Sequence, residues 1–197
     1  MTMEPQKIYS SIDHTQLKQT ADWASVQTLC NQAIAGGAAS VCIPPCYVGR
    51  VKAYVQDKMK VCTVIGFPNG YQTTLVKLVE TKEALADGAD EIDMVINLCD
   101  VKNGDWDKVR HEIGALKQAC GQRVLKVIVE TCYLTEKEKV TLCHIVTEAS
   151  ADYIKTSTGF GSAGATVEDV ALFRQEIGPE VKIKAAGGIR SLETAEQ

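Results

Sequence analysis

Ala149-Ser150-Ala151-Asp152-Tyr153-Ile154-Lys155-Thr156 is the stretch on which the fold turns. A small-residue turn closes a helical pattern, and a short run with β-branched and aromatic residues follows at once. The same junction occurs twice upstream. Gly36-Gly37-Ala38-Ala39-Ser40 leads into Val41-Cys42-Ile43, and Asp87-Gly88-Ala89-Asp90 leads into Glu91-Ile92-Asp93-Met94-Val95-Ile96. Counting every such run places strands near residues 8–13, 39–43, 61–67, 91–97, 123–130, 152–157 and 181–186. Amphipathic helical stretches lie between them, among them 20–34, 74–86, 106–119, 135–148 and 166–177. Thr135 with Glu138 reads as a capping box, and Thr166 with Asp169 as a weaker one. Strand starts recur at roughly 30-residue intervals, the size of a βα unit.

Alternating strands and helices imply a parallel sheet with helices on its faces, hence the α/β class. A doubly wound sheet usually carries a glycine-rich turn after its first strand. Here that turn, Asp13-His14-Thr15-Gln16-Leu17, has no glycine, so the pattern favours a TIM (β/α)8-type barrel. Seven strands and a helical start at Ser191 predict a barrel truncated after the seventh strand. Residues 1–197 then form one domain with the eighth βα unit missing.

Composition narrows the function. An apolar fraction of 45% and a charged fraction of 23% are those of an ordinary soluble globular chain. The net charge of -4 gives no general electrostatic reason to bind nucleic acid or an anionic membrane. Met1 to Lys7 lack the apolar core of an export signal, and no transmembrane stretch is visible. Eight cysteines are spread along the chain without a CxxC pair, which reads as buried reduced thiols in a cytoplasmic protein.

Charges inside strand runs are the functional signal. A barrel strand sends alternate side chains toward the interior and toward the helices. If Leu125, Val127 and Val129 face the helices, then Lys126, Ile128 and Glu130 face inward. The same parity turns Asp93, Lys155 and Lys184 inward, and Asp13 after Ile12 on the first strand. Lys182, at the start of its strand, reads as an exposed strand end. Ionised groups are costly to bury unless paired, and barrel active sites lie at the C-terminal ends of the strands. Asp13, Asp93, Lys126, Lys155 and Lys184 on one wall therefore predict a catalytic site.

Lysine becomes a nucleophile when desolvation or a nearby cation lowers its pKa, and Lys155 beside Lys184 is such a pair. Asp93 could move protons directly or through water, and Lys126 could hold it ionised. No HExxH, Walker loop or GxSxG occurs, and His14, His111 and His144 share no ligand spacing. The expected metal and cofactor requirement is none. Thr158-Gly159-Phe160-Gly161 and Ala186-Gly187-Gly188-Ile189 follow the sixth and seventh strands. Glycine turns there suit a phosphate, which barrels commonly hold with their late loops.

These segments also resemble a known family. Ile12-Asp13-His14-Thr15, Val64-Ile65-Gly66-Phe67-Pro68-Asn69-Gly70, Glu91 to Asn97, Lys126 to Thr131, Tyr153 to Phe160 and Lys182 to Arg190 look like deoxyribose-phosphate aldolase, in the right order over nearly the whole chain. The resemblance implies a metal-free class I aldolase cleaving 2-deoxy-D-ribose 5-phosphate reversibly to acetaldehyde and D-glyceraldehyde 3-phosphate. By motif position Lys155 would form the imine, Lys184 would lower its pKa and Asp93 would serve the proton relay. Gly159, Gly187 and Gly188 would help hold phosphate. The expected partners are a small phosphorylated sugar and aldehydes, in a homo-oligomer. The family ends with an eighth strand whose turn completes the phosphate site, so a chain stopping at Gln197 is expected to have a weakened phosphate grip. Two alternatives stand beside this: a truncated barrel that only binds phosphosugar, and another phosphosugar lyase or isomerase on the same fold.

Overall fold

Where a helix ends in glycine or alanine, the chain turns and a short β-branched run pairs with its predecessor. The computed structural model describes residues 4–196. In chain order the elements are α1 (Pro5–Tyr9), β1 (Asp13–Thr15), α2 (Trp23–Gly36), β2 (Ser40–Ile43), α3 (Val48–Val55), β3 (Lys60–Ile65), α4 (Thr74–Ala86) and β4 (Glu91–Val95). There follow α5 (Leu98–Asn103), α6 (Trp106–Cys120), β5 (Val124–Ile128), α7 (Glu136–Glu148), β6 (Tyr153–Lys155), α8 (Val167–Glu176), β7 (Lys182–Lys184) and α9 (Leu192–Glu196). The strands form one seven-stranded sheet in the order β1-β2-β3-β4-β5-β6-β7, with parallel pairing at β1–β2, β2–β3, β5–β6 and β6–β7. Sequential order is that of a (β/α)-barrel wall. A doubly wound sheet reverses its order at a switch point.

The chain divides into two compact units. The first holds residues 4–64, 83–91 and 190–196 of those described. Its α2 opens on a capping box between Asp22 and Ser25 and ends at Gly37, left-handed at φ 69°. Val26, Leu29 and Cys30 of that helix are buried, as are Val41, Cys42 and Ile43 of β2 and Val48, Val51 and Val55 of α3. Asp90 closes the turn before β4: its carboxylate accepts from the Val61 amide at 2.9 Å and from Lys52 Nζ at 2.8 Å.

The second unit holds residues 65–82 and 92–189. Ile92, Met94, Leu125, Val127 and Ile154 are fully buried, together with Ile113, Leu116, Leu142 and Phe173 from the helices. The expected caps form. Thr135 and Glu138 make a capping box on α7, and the Thr166 side chain accepts from the Asp169 amide on α8.

Several expectations need correction. No strand covers residues 8–12. Pro5 sits in the first turn of a helix running to Tyr9, with Ile8 buried, and the first strand begins only at Asp13. The third, fourth and fifth strands stop early, each at an identifiable residue. Gly66 turns at φ 64°, Asn97 caps α5 through the Cys99 amide, and Glu130 adopts a left-handed φ of 56°. Helices α3 and α5 fall outside the helical stretches named from the sequence. All eight cysteines are free, but Cys46 and Cys99 are exposed rather than buried. Burial pushes the Cys120 thiol up to about 11 and Cys143 to about 12, so both are packing groups rather than thiolates. Among the described residues no helix is long and apolar enough to cross a membrane.

Candidate active site

Strands β4, β5 and β6 each carry one charged side chain toward a common point within the second unit. Asp93 sits mid-strand between Ile92 and Met94, and Lys126 sits between Leu125 and Val127. The apolar neighbours pack into the core and alternation turns the charged group to the opposite face. Lys155, at the end of β6, follows the buried Ile154 in the same way. The result is a buried triad: Asp93 is 0%, Lys126 2% and Lys155 8% exposed. Lys155 Nζ lies 2.5 Å from Asp93 Oδ2, and Lys126 Nζ lies 3.0 Å from Asp93 Oδ1.

Each carboxylate oxygen thus faces its own ammonium. Burial by itself would raise the Asp93 pKa, but the two adjacent ammonium groups outweigh it and hold the carboxyl well below the usual range. Asp93 is a carboxylate throughout the physiological range. Lys184 is the register partner of Lys155 across the β6–β7 pair, so both side chains leave the sheet on one face. It is only half-buried. Four of the five charges expected on one wall therefore belong to this unit. Asp13 belongs to the first unit, where its Oδ1 accepts from Ser40 Oγ at 2.9 Å. Lys182 is exposed, as its position predicted, with Nζ 5.5 Å from the Tyr153 ring centre.

Beyond the strand ends, the two glycine turns come together. Thr156 bonds the Ala186 backbone in both directions at 3.0 Å, accepting from its amide and donating to its carbonyl. The Ala165 amide donates to the carbonyls of Ala186 and Gly187. A side chain on Gly164 would stand 2.1 Å from the Gly187 carbonyl oxygen, so only glycine allows this approach. Gly159, Gly187 and Gly188 all have φ between 82° and 84°, and Gly159 and Gly188 are exposed. Ser157 Oγ is buried beside this junction and has no hydrogen-bond partner among the described residues.

Sequence reasoning placed Glu130 on the inward face but gave it no role. Its carboxylate accepts from the Thr158 amide at 3.1 Å and from the Thr158 hydroxyl. A carboxylate at inward parity just past a strand end was the available signal. Thr158 itself carried none beyond its place in the glycine loop. Chemically, the cluster offers a primary amine at a dry strand end, a carboxylate touching it, a second cation beside it and a glycine-lined rim.

Known proteins similar to this chain are aldolases. A family model described as DeoC/LacD family aldolase matches residues 8–197. The chain is 57% identical over 191 residues to a deoxyribose-phosphate aldolase of Clostridium botulinum (strain Eklund 17B / Type B), covering 97% of this chain and 86% of the relative. It is 56% identical over 195 residues to one from Streptococcus agalactiae serotype Ia, covering 99% and 87%. Among solved structures, the tetrameric deoxyribose phosphate aldolase of Aeropyrum pernix superposes with a TM-score of 0.90 at 32% identity, covering 98% of this chain and 82% of that one.

Proposed function

The chain belongs to the DeoC/LacD aldolase family, and from that premise we propose that it cleaves 2-deoxy-D-ribose 5-phosphate reversibly to acetaldehyde and D-glyceraldehyde 3-phosphate through an imine on Lys155. The observation that carries this reading is the buried contact of Lys155 Nζ with Asp93 Oδ2 at 2.5 Å, beside Lys184 on the neighbouring strand.

In the proposed reaction the Lys155 amine adds to the C1 aldehyde of the open-chain sugar, and loss of water gives an iminium. The attacking amine must be unprotonated. Asp93 favours the ammonium form of Lys155 and Lys184 opposes it, so the second cation keeps the free amine accessible near neutral pH. Asp93 takes the proton across their contact and passes it on through water. A base then removes the C3 hydroxyl proton, the C2–C3 bond breaks and its electron pair flows into the iminium. D-Glyceraldehyde 3-phosphate leaves, and the two carbons still on Lys155 form an enamine. Protonation at C2 and hydrolysis release acetaldehyde and restore the amine. Asp93 relays both protons, and Lys126 at 3.0 Å keeps it ionised between them. Gly159, Gly187 and Gly188 present backbone to the phosphate.

The enzyme works as a homo-oligomer, in keeping with the relative from Aeropyrum pernix described as tetrameric. Eight free thiols suit the reducing cytoplasm. A retro-aldol assay that detects glyceraldehyde 3-phosphate tests the activity. Wild type is expected to be active and Lys155→Ala silent. A folded wild-type protein with no turnover would overturn the reading.

A further inference from the structure

Resting on the aldolase reading, we infer that Glu130 is a positioning residue for phosphate recognition, acting through Thr158 to hold the Gly159 turn in its binding conformation. Glu130 is 3% exposed and lies just past the end of β5, at φ 56° and ψ 65°. A left-handed non-glycine residue is uncommon and persists where surrounding contacts demand it. The backbone carbonyl accepts from the Tyr133 amide, and the carboxylate turns to one loop. The Glu130 carboxylate accepts from the Thr158 amide through Oε1 at 3.1 Å and Oε2 at 3.3 Å, and from the Thr158 hydroxyl through Oε2. That hydroxyl oxygen accepts in turn from the Phe160 amide at 3.0 Å. A side chain on Gly161 would stand 3.1 Å from Glu130 Oε1, so the loop closes directly over the carboxylate.

One buried group thus bonds residue 158 directly and reaches residue 160 through the Thr158 hydroxyl, and the residue between them is Gly159, exposed at φ 82°. A carboxylate is an unfavourable neighbour for a phosphate as a charge, so its value here is geometric. It engages the Thr158 donors on the loop's inner side and holds the turn in advance of binding. A backbone phosphate site depends on such preorganisation, because an unheld loop must be ordered by the ligand itself. Its carboxylate bonds to the loop that carries Gly159, so its effect is expected at the phosphate end of the substrate.

The test compares retro-aldol kinetics on 2-deoxyribose 5-phosphate and on unphosphorylated 2-deoxyribose for wild type, Glu130→Gln, Thr158→Val and Thr158→Ser. Glutamine keeps the volume but offers one acceptor oxygen where the carboxylate offers two. The expected result is a rise in KM for the phosphorylated substrate, so that the preference for it in kcat/KM falls by about ten-fold or more in Glu130→Gln. Thr158→Val shows the same loss of preference, and Thr158→Ser, which keeps the hydroxyl, restores it. Should Glu130→Gln fail to fold, the contrast between Val and Ser at position 158 decides the matter alone. Equal losses on both substrates, or preference retained in Thr158→Val, overturn this inference while leaving the aldolase reading in place. A wild-type protein inert toward both substrates overturns the aldolase reading, and this inference with it.

Discussion

Asp93 is the residue on which the site's charge balance depends. It is wholly buried, and each of its oxygens meets an ammonium group, from Lys126 and Lys155. Asp93→Asn would remove the carboxylate that stands between those two cations, a change of the kind that costs about 3–5 kcal/mol. Urea unfolding at pH 7 measures it. The pH dependence has a definite sign. Because the folded pKa lies below the unfolded value of about 3.9, the stabilisation is fully present above that value and is lost as pH falls toward the folded pKa. The stability gap between wild type and Asp93→Asn should therefore be constant from neutral pH into mild acid and shrink below about pH 4. A gap that widens in acid would contradict the charge assignment.

Helix α4 reverses the ordinary arrangement of an amphipathic helix. Lys77 and Thr81, four residues apart, are fully buried, whereas Leu75, Val76 and Val79 are exposed. Lys77 Nζ donates to the Val95 carbonyl and to Glu112 Oε1, both at 2.8 Å, and Glu112 Oε2 accepts from the Asn97 amide at 3.2 Å. Burial pushes the Lys77 pKa down and the Glu112 pKa up, and their contact opposes both shifts. The pair ties α4 and α6 to the end of the strand that carries Asp93. Glu112→Ala strands a buried ammonium and should cost about 3–5 kcal/mol, while the double change Lys77→Met with Glu112→Leu should recover most of it. Val79→Lys should shift stability by no more than about 0.5 kcal/mol. Thermal unfolding of the three variants checks both expectations. This reversal was not legible in the sequence. Periodicity locates the two faces of a helix, and a lysine among leucines and valines reads as the wet one. The strand charges were legible because alternation in a strand admits only two faces, and apolar neighbours identify the other.

At the scale of the whole chain, the net charge of -4 offers no general attraction for a phosphorylated substrate, so recognition has to be local. The value of kcat/KM for 2-deoxyribose 5-phosphate should then change by less than about three-fold between about 0.02 and 0.2 M salt. A steep fall with salt would mean that long-range steering dominates capture. The strand order and α/β class followed from the spacing of turns, which local residues dictate. Strand ends and the first element did not, because Glu130 bonds Thr158 far along the chain, the Asn97 amide donates to Glu112 while its side chain caps α5, and Pro5 starts a helix too short to show a period. The loop contacts around Thr158 join residues 28 apart in sequence, a separation at which local pattern carries no information. The catalytic claim rests on one atom, Lys155 Nζ. Reduction with borohydride in the presence of acetaldehyde, followed by mass analysis of the intact protein and its peptides, tests it most directly. The account predicts one added ethyl group on the peptide carrying Lys155, absent without aldehyde and absent in Lys155→Ala. An adduct on a different lysine, or none on the folded protein, would contradict it.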